Sequence, residues 1–417
     1  MALAMIFGVF SCSKKQEPHP SGGDEEIQLQ LTADNTTVET GVEVRFTVTA
    51  DGQSIIDADI YIDGQKANGY QHTFDEAGEM TAVAKKNGFK DSAPITIIVE
   101  GVSDDVDIYV LGFDEKPLYW KNGEPNVFEH EAVGDMIFSR MAVANDKVYV
   151  AGERIYSSSR ATAFSWFDGI FEELSESNGF ASGHGVYVAD GHVYIGGIKN
   201  ESSYVTSVVY WKDGELVAVA SGTLGSTGGG PVAVKGEDVY MAGILDGQPM
   251  YWKNDVGVPL DGGVGNVIVT DIAVADNDDV YVSGYIIGNH DLAVYWKNGE
   301  KITLGTGNGA SQATAIFVEQ NDVYVAGWER ISSSGGSGTV RVARYWKNGE
   351  AVDLTDGTHQ AEANGIFVLD GKVYVSGVEF MDKRAATYWV DGETVRLSRE
   401  DSNGYAGDIV VVKRNMD

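Results

Sequence analysis

The chain has 417 residues, room for two or three domains or one large all-β unit, and its 43% hydrophobic content suffices for a packed core. With 62 acidic against 30 basic residues the formal net charge is -32, a field that repels phosphate backbones and argues against nucleic-acid binding. A single cysteine excludes an intramolecular disulfide, and 52 Gly and 20 Tyr beside only 8 Pro suit many short strands joined by tight turns.

Residues 2–10 are apolar and too few to span a bilayer as a mature helix. Val9-Phe10-Ser11-Cys12, with a small residue directly before the Cys, resembles the lipobox of a bacterial lipoprotein signal. The resemblance implies that residues 1–12 are a signal ending at the lipidated Cys12; the alternative is an apolar N-terminus with an incidental Cys. Residues 13–26, from Ser13 through Lys14-Lys15 to Asp24-Glu25-Glu26, are polar, rich in Pro and Gly and without apolar period, so they read as a flexible tether. The expected membrane link is the lipid alone.

Residues 27–102 alternate apolar and polar side chains in short runs such as Val42 to Val48, Ala58 to Ile62 and Met80 to Ala84. Asp63-Gly64 and Asn87-Gly88 stand where hairpin turns are wanted. The phrases TVETGVEVRFTVTADG at 37–52 and HTFDEAGEMTAVAKKNG at 72–88 resemble bacterial immunoglobulin-like modules, which implies a small β-sandwich acting as a spacer. It has no cysteine pair of the antibody type.

From residue 105 to 417 one pattern recurs. Tyr119-Trp120, Ser165-Trp166, Tyr210-Trp211, Tyr251-Trp252, Tyr295-Trp296, Tyr345-Trp346 and Tyr388-Trp389 each stand just before a tight turn, and successive Trp residues lie 41 to 50 positions apart. That period belongs to propeller or solenoid arrays. A Val-Tyr-x-x-Gly segment precedes most copies, as at Val148 to Gly152 and Val323 to Gly327. Four strand-sized pieces per repeat predict a β-propeller blade, so seven repeats predict an all-β, seven-bladed β-propeller preceded by the small sandwich. Repeat one begins at Asp107-Ile108-Tyr109 without an innermost strand, and Asp408 to Val412 is a leftover strand at the far end. The C-terminal strand is therefore expected to complete blade one and close the ring. The repeat resembles kelch-type or galactose-oxidase-type propellers, with one Gly where kelch has two. The whole layout resembles surface lipoproteins of gut-type Gram-negative bacteria, which implies a lipid-anchored protein of the outer membrane that handles glycans or adheres.

Chemistry has three candidate locations. The short turns, such as Lys347-Asn348-Gly349, carry Asp and Asn that look like metal ligands, but positive-φ turns need those same residues, so no metal or cofactor is expected. The connections between second and third strands vary most, and variable loops on a rigid ring usually bind. There, Glu153-Arg154-Ile155-Tyr156 and Glu329-Arg330-Ile331 form a shared phrase in blades two and six, each followed by serines. Trp328, the Trp outside the repeat motif, opens the longer loop, either as an exposed platform for a sugar ring or as an anchor for its own loop. Finally Arg140, His184, Asp271, Thr314, Asn364 and Asp408 precede or enter the innermost strands and are expected at the channel mouth, as an acid-base or cation site or as the lining of a water-filled funnel.

No metal-protease, nucleophile-elbow, EF-hand or phosphate-loop motif occurs. The expected function is a monomeric, non-catalytic envelope protein binding a carbohydrate or protein ligand on its variable-loop face. The rivals are a glycan lyase or hydrolase with its site at the channel mouth, and an adhesion or scaffold component of an envelope complex.

Overall fold

A computed structural model describes residues 27–39, 43–74, 78–100, 106–129, 135–176, 179–262, 265–332, 338–399 and 401–414. Cys12, the 13–26 tether and Ser333 to Gly336 of the sixth-repeat loop lie outside the described residues. Among the described residues there is no α-helix. The chain divides into two compact units, 1–105 and 106–417.

In the first unit two sheets share one apolar core. One contains Gln30–Ala33, Glu43–Ala50, Gln53–Ser54 and Gln71–Thr73; the other runs Thr37–Glu39, Ile95–Glu100, Gly78–Lys85, Asp59–Ile62, Gln65–Lys66. Strict alternation along Glu43–Ala50 turns Val44, Phe46, Val48 and Ala50 inward, where they meet Ile60, Ala82 and Ile97 of the other sheet. Asp63 and Gly64 both have positive φ and form the expected hairpin turn.

Among its described residues the second unit contains seven four-stranded antiparallel sheets, one per repeat, each open at both edges. Sheet 1 pairs Val106–Asp114 with Lys116–Lys121 on one side and with the C-terminal strand Gly404–Lys413 on the other, in a register that sets Ile108 opposite Val411. Sheets 2 to 7 are built in chain order from their own repeats. Their first strands are Met136–Ala144, Ala181–Ala189, Gly228–Lys235, Val267–Val274, Ser311–Glu319 and Gln360–Leu369. Each first strand contacts the next, Gln360–Leu369 contacts Gly404–Lys413, and that strand contacts Met136–Ala144.

The repeat motif has a packing reason. Trp120, Trp211, Trp252, Trp296, Trp346 and Trp389 are buried between sheets, where each removes a large apolar surface from water. The Gly of the Val-Tyr-x-x-Gly segment lies under the Trp of its own sheet. A Cβ at Gly327 would stand 3.0 Å from Trp346 and 2.0 Å from the Gln312 carbonyl, and Gly112, Gly197, Gly284 and Gly377 repeat that crowding.

The turn residues are occupied as well. Asn298 Nδ2 donates to Asp279 Oδ1 at 2.7 Å while its Oδ1 accepts from Val280 N at 2.8 Å. Lys297 Nζ sits 2.7 Å from Asp279 Oδ2 and over the Tyr281 ring. The same clamp recurs at Asp107, Asp238 and Asp322. With Asn298 and Gly299 at φ 51 and 92, the motif specifies a tight hairpin and holds it shut.

Candidate functional site

The variable-loop residues are mostly engaged within their own sheets. Trp328 is only 8% exposed, opposite Gln312 and Ala343, and the Arg341 guanidinium covers its ring at 5.5 Å. It anchors the strand end, so the exposed sugar platform is corrected. Glu329 is also buried: it pairs with Arg344 and accepts from Thr306 N at 2.9 Å, and Arg344 reaches on to Asp353 at 2.6 Å. Arg330 is exposed, directly opposite Arg341 on the neighbouring strand.

The shared phrase has a different fate in sheet 2. Arg154 donates to Glu173 at 2.7 Å, Tyr156 donates to the same oxygen at 2.6 Å, and the guanidinium lies over the Tyr156 ring. Glu153 is half-buried beside His184, whose protonated form its charge favours. The two phrases diverge because Arg344 lies opposite Gly327, whereas Phe164 occupies the matching place opposite Gly152. Equal words in sequence thus face unequal neighbours, and the two loops do not form one matched pair.

The inner strands hold the larger surprise. Each carries a β-bulge at the same level, where one residue drops out of register: Ser139, His184, Thr270, Thr314, Asn364 and Gly407, with Gly230-Pro231 in sheet 4. A bulge residue and its successor face different ways, so the six residues read from sequence as one set belong to two.

The first set stitches sheets together. His184 Nδ1 donates to Gly229 O at 2.6 Å, Thr314 Oγ1 to Ala363 O at 2.9 Å and Asn364 Nδ2 to Ala406 O at 2.8 Å, each reaching the next sheet. Thr270, which sequence reasoning missed, does the same to Ala313 O at 3.1 Å. His184 Nε2 accepts from Ser182 Oγ at 2.7 Å, and burial pushes the imidazole pKa down, so it is a neutral structural group. His184, Thr314 and Asn364 are thus each tied to the following sheet.

The second set is Arg140, Asp271 and Asp408. They line one cavity together, at mid-strand. A cavity of about 420 Å³ begins at them and is lined by residues of all seven inner strands. Its lining lies at or beyond the bulges, as in Met141 to Val143 and Val186 to Val188, so it occupies the half of the axis nearer the short turns. Tyr187, Phe317 and Phe367 supply aromatic wall, the two Phe rings 4.7 Å apart.

Every carboxylate oxygen here holds a backbone amide. Asp271 accepts from Ile272 N at 2.9 Å and, across to the next sheet, from Ile316 N at 3.2 Å. Asp408 accepts from Ile409 N at 3.0 Å and from Met141 N at 2.9 Å. Arg140 reaches across the axis, donating to Thr314 O at 3.2 Å with Asp271 Oδ2 at 3.8 Å. Burial pushes both carboxyls above the ordinary range, and Arg140 opposes that rise. Burial disfavours the guanidinium charge too, but Asp271 and Asp408 outweigh it and hold Arg140 protonated. One cation between two carboxylates leaves an acidic site whose donors and acceptors are fixed in place.

Among the described residues no group of three or more His, Cys, Asp or Glu is arranged to hold a metal ion, and no helix is long and apolar enough to cross a membrane. No protein-family model matches the chain, and no curated protein matches it. Solved structures similar to it include a puromycin-hydrolyzing peptidase of Mycobacterium tuberculosis, at 11% identity and TM-score 0.39, over 85% of this chain and 58% of that one. The β-propeller domain of the Trilobed protease from Pyrococcus furiosus is similar at 9% identity and TM-score 0.39, over 89% and 99% of the two chains. An auxiliary nutrient binding protein from Bacteroides thetaiotaomicron is similar at 10% identity and TM-score 0.32, over 72% and 95%. The described residues are all-β, and a β-propeller domain is among the similar solved structures.

Proposed function

We propose that this chain is a non-catalytic, carbohydrate-binding protein of a bacterial envelope. In this reading the seven sheets are the blades of a closed propeller, the first unit is an Ig-like spacer, and lipid at Cys12 anchors the chain in the outer membrane. The observation that carries the binding site is the axial cavity, which combines Tyr187, Phe317 and Phe367 walls with Arg140, Asp271 and Asp408 at its inner end. A sugar ring offers C–H faces to aromatic rings and hydroxyls to a carboxylate and a guanidinium, and the cavity volume lies within the range of small-ligand sites. The ligand thus enters the short-turn half of the axis, not the variable-loop face expected from sequence.

The rival reading is a glycan lyase or hydrolase at the same cavity. Acid–base work needs two groups whose environments push their pKa values apart. Burial moves Asp271 and Asp408 in the same direction, and all four of their oxygens accept backbone amides, which supports binding without turnover.

Native gels cast with a panel of polysaccharides test the reading. Expected is retardation by at least one glycan, without new reducing ends or unsaturated products. Tyr187→Ala and Arg140→Met are expected to migrate like the protein in a gel without glycan while keeping its circular dichroism. Unchanged migration of the parent in every gel, or full retardation of both variants, contradicts it.

A further inference from the structure

Six of the seven repeats place a Tyr directly before the motif Trp, and repeat two places Ser165 there. The missing ring has a structural consequence at the contact between sheets 2 and 3. In the other sheets this Tyr packs into the contact with the next sheet: Tyr251 joins the core shared with Leu260, Val267 and Ile272, and Tyr295 joins the one shared with Ala313 and Ile316. It also lies beside the Tyr of its own Val-Tyr-x-x-Gly segment, with centroids 6.3 Å apart for Tyr109 and Tyr119 and 6.4 Å for Tyr281 and Tyr295.

At repeat two the corresponding Tyr149 stacks instead on Phe167, at 4.5 Å and 18°. Behind that stack a cavity of about 330 Å³ runs between the sheets to Leu174 and Ile195 of their shared core, while the side chains of Val150 and Trp166 turn to the other face of sheet 2. Ile195 is a core residue, 2% exposed. An equivalent notch between sheets 4 and 5 holds about 390 Å³ but has Tyr251 on its wall and does not reach Val282, the counterpart of Ile195. Depth, not volume, distinguishes the two, and depth follows from the absent ring. The mouth of the deep cleft carries Glu172 and Asp213, while Ser165 adds a hydroxyl within it.

We infer that the cleft at Ser165 is a second binding site, for a 4-alkylphenol ring that takes the place six other repeats fill with their own tyrosine. The ring would lie against Leu174 and Ile195, with its hydroxyl free to donate to a carboxylate at the mouth. Two acidic side chains there select against anionic aromatics. The ring belongs either to a free phenol or to a tyrosine side chain of another polypeptide; the site is separate from the axial cavity and independent of the function proposed for it.

Ligand-observed NMR on the whole protein tests this with p-cresol and N-acetyltyrosinamide as probes. Expected is saturable transfer to p-cresol that is lost in Ser165→Tyr and in Ser165→Phe, both folded by circular dichroism and melting above the parent because they fill the void. The signal is expected to persist in Tyr187→Ala. Binding of p-cresol alone assigns a free phenol, and binding of both probes assigns a tyrosine side chain. No transfer to either probe, transfer undiminished in both Ser165 variants, or transfer lost in Tyr187→Ala overturns the inference. None of these three outcomes is read from glycan retardation, so the two sites fail separately.

Discussion

At the scale of single residues, the same chemical type does opposite work in different surroundings. Asp279 hydrogen-bonds Lys297 and Asn298, and that pairing holds its carboxyl down at about 2, against roughly 3.9 for an unperturbed Asp. The stability it contributes is therefore present above the unfolded value and lost as pH falls through the folded one. Asp107, Asp238 and Asp322 shift in the same direction. Urea midpoints measured between about pH 5 and 2 should fall with acid, and the fall should be shallower in Asp279→Asn. Asp271 and Asp408, raised by burial, act with the other sign: their contribution declines as pH rises from the unfolded pKa to the folded one. Gly327 gives a second residue-level prediction. Its Cβ would meet the Gln312 carbonyl at 2.0 Å, backbone that cannot step aside, so Gly327→Ala should cost about 1–3 kcal/mol or more by denaturant titration. Trp328 shows the limit of reading residues alone. Its position at a loop mouth is visible in sequence, but its burial depends on Arg341, which only strand pairing brings over the ring.

At the scale of elements, strand identity was legible and strand offset was not. Alternation located Glu43–Ala50 and Asp59–Ile62 to within two residues, because one face of each strand is buried and the period of two leaves no freedom. Thr37–Glu39 and Gln71–Thr73 are too short to show a period. The Tyr-Trp turns were legible because each turn chemistry is local. The inner-strand bulges were not, since a bulge exists only relative to the partner strand. That is why His184, Thr314 and Asn364 were grouped with Arg140, Asp271 and Asp408, one position away in register. The stitches give a prediction. Thr314→Val removes a hydroxyl that bonds Ala363 O on the next sheet, leaving an acceptor without that donor. It should destabilise by about 1 kcal/mol while leaving glycan retardation intact, whereas Asp408→Asn should weaken retardation.

At the scale of the whole molecule, the C-terminal strand is the piece on which the arrangement depends. Gly404–Lys413 completes sheet 1, contacts Gln360–Leu369 and Met136–Ala144, and supplies Asp408 to the axial cavity. Deleting residues 404–417 leaves Val106–Asp114 as an exposed edge, and the product should aggregate on size-exclusion chromatography. The anchor proposed at Cys12 is tested at this scale too. In a bacterial host the parent should incorporate palmitate and partition into detergent, and Cys12→Ser should do neither.

The central claim is that the axis, on its short-turn half, binds a sugar. A crystal structure of the protein with an oligosaccharide that retards it on gels tests this most directly. The account predicts sugar density against Tyr187, Phe317 and Phe367, with hydroxyls bonded to Asp271 or Asp408. Density on the variable-loop face, with the axial cavity holding only solvent, would contradict it.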